Sequence, residues 1–141
     1  MPLGRAARRD AGTRVVAGSV LWLALALLVL QTALGGWVST NYAVLACNTF
    51  PQCQGSWWPM MDFAQGFTLW RHLGMNALGE PLTFESLTAI HYAHRLAAYA
   101  VLAYLGVLAW QLRRLAAYHS ASRALLAVLL LQLLTGLSNV V

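Results

Sequence analysis

The sequence predicts an all-α integral membrane protein, and three observations carry that prediction. Of the 141 residues, 60% are hydrophobic and only 9% are charged, against about 25% charged residues in an ordinary soluble domain. Three apolar runs, residues 15–38, 87–112 and 124–141, each approach the ~20 residues that a helix needs to cross a bilayer. All nine basic residues are arginines, and all but Arg71 and Arg95 cluster beside those runs. They form no basic face interleaved with aromatics, so the net charge of +5 reads as a topology signal and excludes a nucleic-acid partner.

Residues 1–14 form a basic tail with Arg5, Arg8, Arg9 and Arg14 against Asp10. The first run, residues 15–38, contains no charge and is longer than the ~7–15 apolar residues of a signal peptide, so it is expected to stay as transmembrane helix 1. Residues 39–86 form a long loop, residues 87–112 transmembrane helix 2, and residues 113–123 a short connector with Arg113, Arg114 and Arg123. Residues 124–141 form transmembrane helix 3, only about 27 Å long at ~1.5 Å per residue. Its last residues, Leu137 to Val141, bring no polar or aromatic flank, which reads as a bundle cut short.

Short cytoplasmic segments retain arginine, so the tail and the connector are expected inside an inner (plasma) membrane and the loop outside, in the periplasm. The loop holds one arginine, Arg71, against Asp62, Glu80 and Glu85. Both cysteines, Cys47 and Cys53, lie in it. An oxidising compartment favours a disulfide between them, structural or redox-active. Zinc would want about four ligands, and only His72 is at hand as a third. Trp57, Trp58, Phe63, Phe67 and Trp70 are expected to settle at the headgroups. A short interfacial helix over residues 62–78 would turn Phe63, Phe67, Leu69, Trp70 and Leu73 to lipid.

The run His91-Tyr-Ala-His94-Arg95 near the start of the second span is the candidate site. Ionisable groups inside a bilayer are costly and usually mark an ion path, a proton relay or a cofactor. His91 and His94 are three apart and share a helix face; Ala97 and Ala98 leave room beside them for a flat macrocycle. A neutral imidazole can ligate haem iron, bond a neighbouring helix or carry protons, and all three roles stand open. Arg95 is suited to a haem propionate or to lipid phosphate. Two histidines on one helix face cannot bind one iron from opposite sides. A second axial ligand must come from His72, from another helix, or from another copy; His119 falls across the membrane.

An apolar helix ending Leu34-Gly35-Gly36-Trp37-Val38, a loop with a cysteine pair and Pro51, and a helix opening His91-Tyr-Ala-His94-Arg95 together resemble the haem A synthase family of cytochrome oxidase assembly proteins. Leu133-Leu-Thr-Gly136 of the third run fits too. The resemblance implies two similar four-helix halves, each with haem-ligating histidines on its second and fourth helices. His94 matches the second-helix ligand. Where the first half of the family carries a catalytic glutamate, this chain has His91, which makes it similar to the second half, holding haem b. The implied fold is therefore three transmembrane helices of an incomplete four-helix haem-binding half-bundle. The implied activity of the complete enzyme is oxidation of the haem O methyl group to a formyl. Haem O synthase, other oxidase assembly factors or the missing half are the implied partners. The competing readings are a b-type haem electron-transfer subunit, a thiol oxidoreductase using Cys47 and Cys53, and a membrane anchor without chemistry.

Overall fold

The computed structural model describes residues 18–139. The basic tail, residues 15–17 of the first run, and Val140 and Val141 lie outside them. Among the described residues the chain is helical and holds no strand, only two isolated bridges in the loop. Three of its helices are long and apolar enough to cross a membrane, which establishes the expected all-α membrane fold.

Helix α1 is Gly18–Thr40. A single turn, α2, covers Phe63–Gly66, helix α3 is Phe84–Leu112 and helix α4 is His119–Leu137. Each boundary has a local cause. Asn41 ends α1 by turning its side-chain amide back to the Trp37 carbonyl at 2.8 Å, and Tyr42 follows in a left-handed conformation at φ 58°. Thr83 caps α3, accepting from the Ser86 N–H at 3.3 Å, and Glu85 sits in the first turn, where a negative charge suits the helix dipole. That cap starts α3 at Phe84 rather than at residue 87. A 3-10 turn over Ala116–Tyr118 leads into α4, which begins at His119 rather than at residue 124.

Helix α3 packs on both α1 and α4. Ala24 of α1 meets Val101, Leu105 and Leu108 of α3, with Leu129 of α4 against the same cluster. Tyr104 donates to the Val20 carbonyl at 2.9 Å, tying α3 to the start of α1. Ser122, fully buried, donates to the Ala109 carbonyl at 2.7 Å and fixes the start of α4 against the end of α3. Most leucines of α1 and α4 remain exposed, as suits helices facing lipid.

The loop departs from expectation. The interfacial helix over residues 62–78 is absent; only Phe63–Gly66 is helical. Arg71 replaces it as the organiser, donating to the carbonyls of Gly66 (3.1 Å), His72 (3.3 Å) and Met75 (2.8 Å) and to Asn41 Oδ1 at 2.8 Å. Backbone acceptors that a helix would bond internally are met by this guanidinium, and Gly74 and Gly79 turn the chain at positive φ. Burial holds the Arg71 pKa below its ordinary value. The aromatic side chains still reach the surface, with Trp57, Trp58 and Trp70 exposed.

Gly66 is where the loop comes closest to α3. A Cβ there would lie 2.9 Å from the Ser86 carbonyl oxygen and 3.3 Å from Ile90. Gly66→Ala is therefore expected to destabilise the protein by roughly 1–3 kcal/mol, the usual cost of overpacking. Gly106→Ala, with nothing within 4 Å, is expected to be neutral or slightly stabilising. Thermal unfolding of the detergent-solubilised pair checks both.

Candidate functional site

The polar residues of α3 divide between two sides. His94 faces α1, and its imidazole lies against Gly35, where a Cβ would stand 3.2 Å from its Cε1. One helical turn before, Gln31 brings its amide nitrogen to 3.2 Å from Nδ1 and 3.4 Å from Nε2. Gln31 and Gly35 are four apart and share a face, so α1 presents an amide and a gap to the nitrogen-bearing edge of the ring. The Gln31 Oε1 atom is buried and has no hydrogen-bond partner. Such an orphan is uncommon in a folded protein and calls for an explanation.

His91, one turn earlier and buried, is held differently. Its Nδ1 lies 3.0 Å from the Ala43 carbonyl. A carbonyl can only accept, so Nδ1 carries the proton and Nε2 keeps its lone pair.

The other side of α3 holds the disulfide loop. Cys47 and Cys53 are bonded, with S–S 2.03 Å. Arg95 reaches into the ring they close, donating through Nη1 to the carbonyls of Thr49 and Gln52 (the latter 2.6 Å) and through Nη2 to that of Cys47 at 3.1 Å. Tyr99 donates to the Pro51 carbonyl at 2.8 Å, and Tyr92 to that of Trp57. Gln54 bridges from the Ala46 carbonyl to Thr88 Oγ1 at 2.9 and 2.8 Å. Thr88, Tyr92, Arg95 and Tyr99 recur at three- to four-residue spacing, so one stripe of α3 grips the loop from end to end. Trp58 packs edge-on against Tyr92, and Phe50 against Tyr99.

The structure thus brings His91, His94 and Arg95 together at the loop end of the bundle but gives them separate partners. Both Arg95 terminal amino groups are engaged by backbone carbonyls. His72 is exposed in the loop and His119 at the opposite end, and among the described residues no three histidine, cysteine or acidic side chains are grouped to hold a metal ion. Glu85 is exposed on the first turn of α3. The disulfide is buried, Cys47 at 1% and Cys53 at 0% exposure, which disfavours thiol exchange with an outside partner because exposed disulfides are the labile ones. Sequence reasoning missed Gln31 and Asn41, and took Gly35 only as part of the motif that ends the first helix. Gln31 was findable, as the only amide between Gly18 and Thr40 in an otherwise apolar run.

Fold and site together define a helical membrane protein with titratable side chains set between its spans under a disulfide-closed loop. Residues 4–141 match the COX15-CtaA family, described as cytochrome oxidase assembly protein, and the chain belongs to that family. It is also 34% identical over 119 residues to the heme A synthase of Shewanella oneidensis, a match covering 84% of this chain and 36% of that protein. The chain therefore spans little more than a third of this relative. No solved structure matches it.

Proposed function

We propose that this chain supplies a haem b-binding part of a haem A synthase, the complete enzyme oxidising the methyl group of haem O to a formyl. The observation that carries the reading is the placement of His94 in the gap at Gly35, in a chain that matches the family over nearly its whole length. The residues fit an iron-porphyrin site. The missing Cβ lets the His94 imidazole lie against α1, Ala97 and Ala98 line the following turn, and Gln31 Oε1 waits for a donor. When bound, a b-type haem supplies one-electron transfer at its iron.

In this reading His94 would hold the haem iron through an imidazole nitrogen. Turning the Gln31 amide lets its Oε1 accept from Nδ1–H, the kind of outer bond that fixes a ligating histidine. His91, with its tautomer set by Ala43, presents a second neutral imidazole to the same region. Arg95 contributes by fixing the disulfide loop over the loop end of α3. Any further ligand would have to come from outside α3. The arginine distribution supports an inner-membrane placement with the disulfide loop in the periplasm and the preceding tail in the cytoplasm.

The test is His94→Ala in the intact purified protein. The expected result is loss of at least nine-tenths of the Soret absorbance with helicity unchanged. Unaltered haem absorbance in a folded variant overturns the assignment.

A further inference from the structure

At the end of the bundle opposite the disulfide loop, Arg113, His119 and Arg123 line a recess of about 340 Å³. The haem reading leaves this cluster unused. Arg113 caps the C-terminus of α3, whereas His119 and Arg123 stand in the first turns of α4. Two cationic or donor side chains at a helix N-terminus oppose the helix dipole, and the first turn of α4 contains no acid to offset them. The acids among the described residues, Asp62, Glu80 and Glu85, all lie in the loop or at the far end of α3. Arg114 is committed elsewhere, its guanidinium stacked 3.9 Å over the Trp110 ring. The recess therefore concentrates positive charge that no described side chain neutralises.

Its surroundings are fixed. The Ser122 to Ala109 bond clamps α4 to α3 directly beside it, and the Tyr118 N–H donates to the Leu115 carbonyl at 2.9 Å to close the connector. Both helices meeting there span the membrane by length and composition, so their shared end lies at the depth of lipid headgroups. Two guanidinium groups and an imidazole N–H converging at that depth match the oxygens of a phosphodiester.

We propose that the recess between Arg113, His119 and Arg123 is a binding site for the phosphate of an anionic phospholipid. Two arginines near a membrane surface are each worth about fivefold in affinity for anionic lipid, so the pair gives about 30-fold.

The experiment uses the purified full chain in nanodiscs of phosphatidylcholine with 10% phosphatidylglycerol, as chosen probes, and native mass spectrometry of the lipids retained on release. Wild type is expected to retain phosphatidylglycerol far above its share. The double variant Arg113→Gln/Arg123→Gln is expected to lose the preference about 30-fold, while Arg113→Lys/Arg123→Lys keeps most of it and Arg114→Gln is unaffected. Inorganic phosphate at millimolar concentration is expected neither to displace the lipid nor to raise the melting temperature in neutral detergent. Absence of a preference in wild type overturns the site whether or not the variants fold. Displacement by inorganic phosphate overturns the lipid as its occupant, and equal retention by the double glutamine variant overturns the residues named.

Discussion

Arg95→Leu is expected to lower the stability of the protein by roughly 3 kcal/mol and to release the disulfide loop from α3. Hydrogen bonds from a charged donor contribute about 1.5–3 kcal/mol each, and the loss is steepest when buried acceptors are left without partners. Three acceptors, the carbonyls of Cys47, Thr49 and Gln52, bond this one guanidinium; that of Cys47 is buried, and that of Gln52 also accepts from Thr49 Oγ1 at 3.1 Å. Arg95 is itself only 6% exposed, so water does not readily take its place. Leucine fills the volume but donates nothing. Lysine keeps the charge yet presents a single compact ammonium where a planar fork spans three oxygens, so Arg95→Lys is expected to recover only part of the loss. Denaturant titration in detergent micelles measures the stability, and limited proteolysis between Asn48 and Gln52 reports the loop. A leucine variant as stable and as protease-resistant as wild type would rule out the clamp.

Gly35→Leu is expected to reduce haem content more than tenfold while leaving the helices formed. A Cβ at Gly35 already approaches His94 Cε1 to 3.2 Å, and the branched carbons beyond it must drive the ring out of the gap. Gly35→Ala asks the imidazole to yield only a few tenths of an ångström, and a twofold to threefold loss is expected. Gly36→Leu is the matched control, since nothing lies within 4 Å of that position. Pyridine haemochrome assay of the three purified variants gives the comparison, with circular dichroism confirming helicity. Full haem occupancy in Gly35→Leu would place the haem away from the face that α1 presents to His94.

These two residues show how unevenly the structure could be read from the sequence. The number of long apolar helices was legible, because long, nearly charge-free runs leave a helix few alternatives in a bilayer. The disulfide was legible too, as the chain offers Cys47 no other partner than Cys53. The site was legible only in part. The expense of burying His91, His94 and Arg95 marked them out, but expense names no partner. Arg95 carries a charge, and charge suggested an anion; the structure gives it backbone oxygens 43 to 48 residues earlier in the chain.

The loop was least legible. The aromatic spacing over residues 62–78 suits an amphipathic helix, and local periodicity carries no information about Arg71, whose four acceptors fold that segment around a side chain. Gly66 was silent and Gly35 marked only a motif, because a glycine that admits another side chain resembles one that does not.

The order of the partners along the chain has a consequence for synthesis. Every backbone oxygen that the buried polar stripe of α3 uses in the loop belongs to an earlier residue: Ala43, Cys47, Thr49, Pro51, Gln52 and Trp57 all precede His91. Each acceptor has therefore left the ribosome before the donor that needs it. A span carrying an arginine is among the harder segments to insert, and this one arrives with its hydrogen-bond partners already delivered. Transposing the loop to follow α3, with every residue kept, would preserve the composition and remove that advantage.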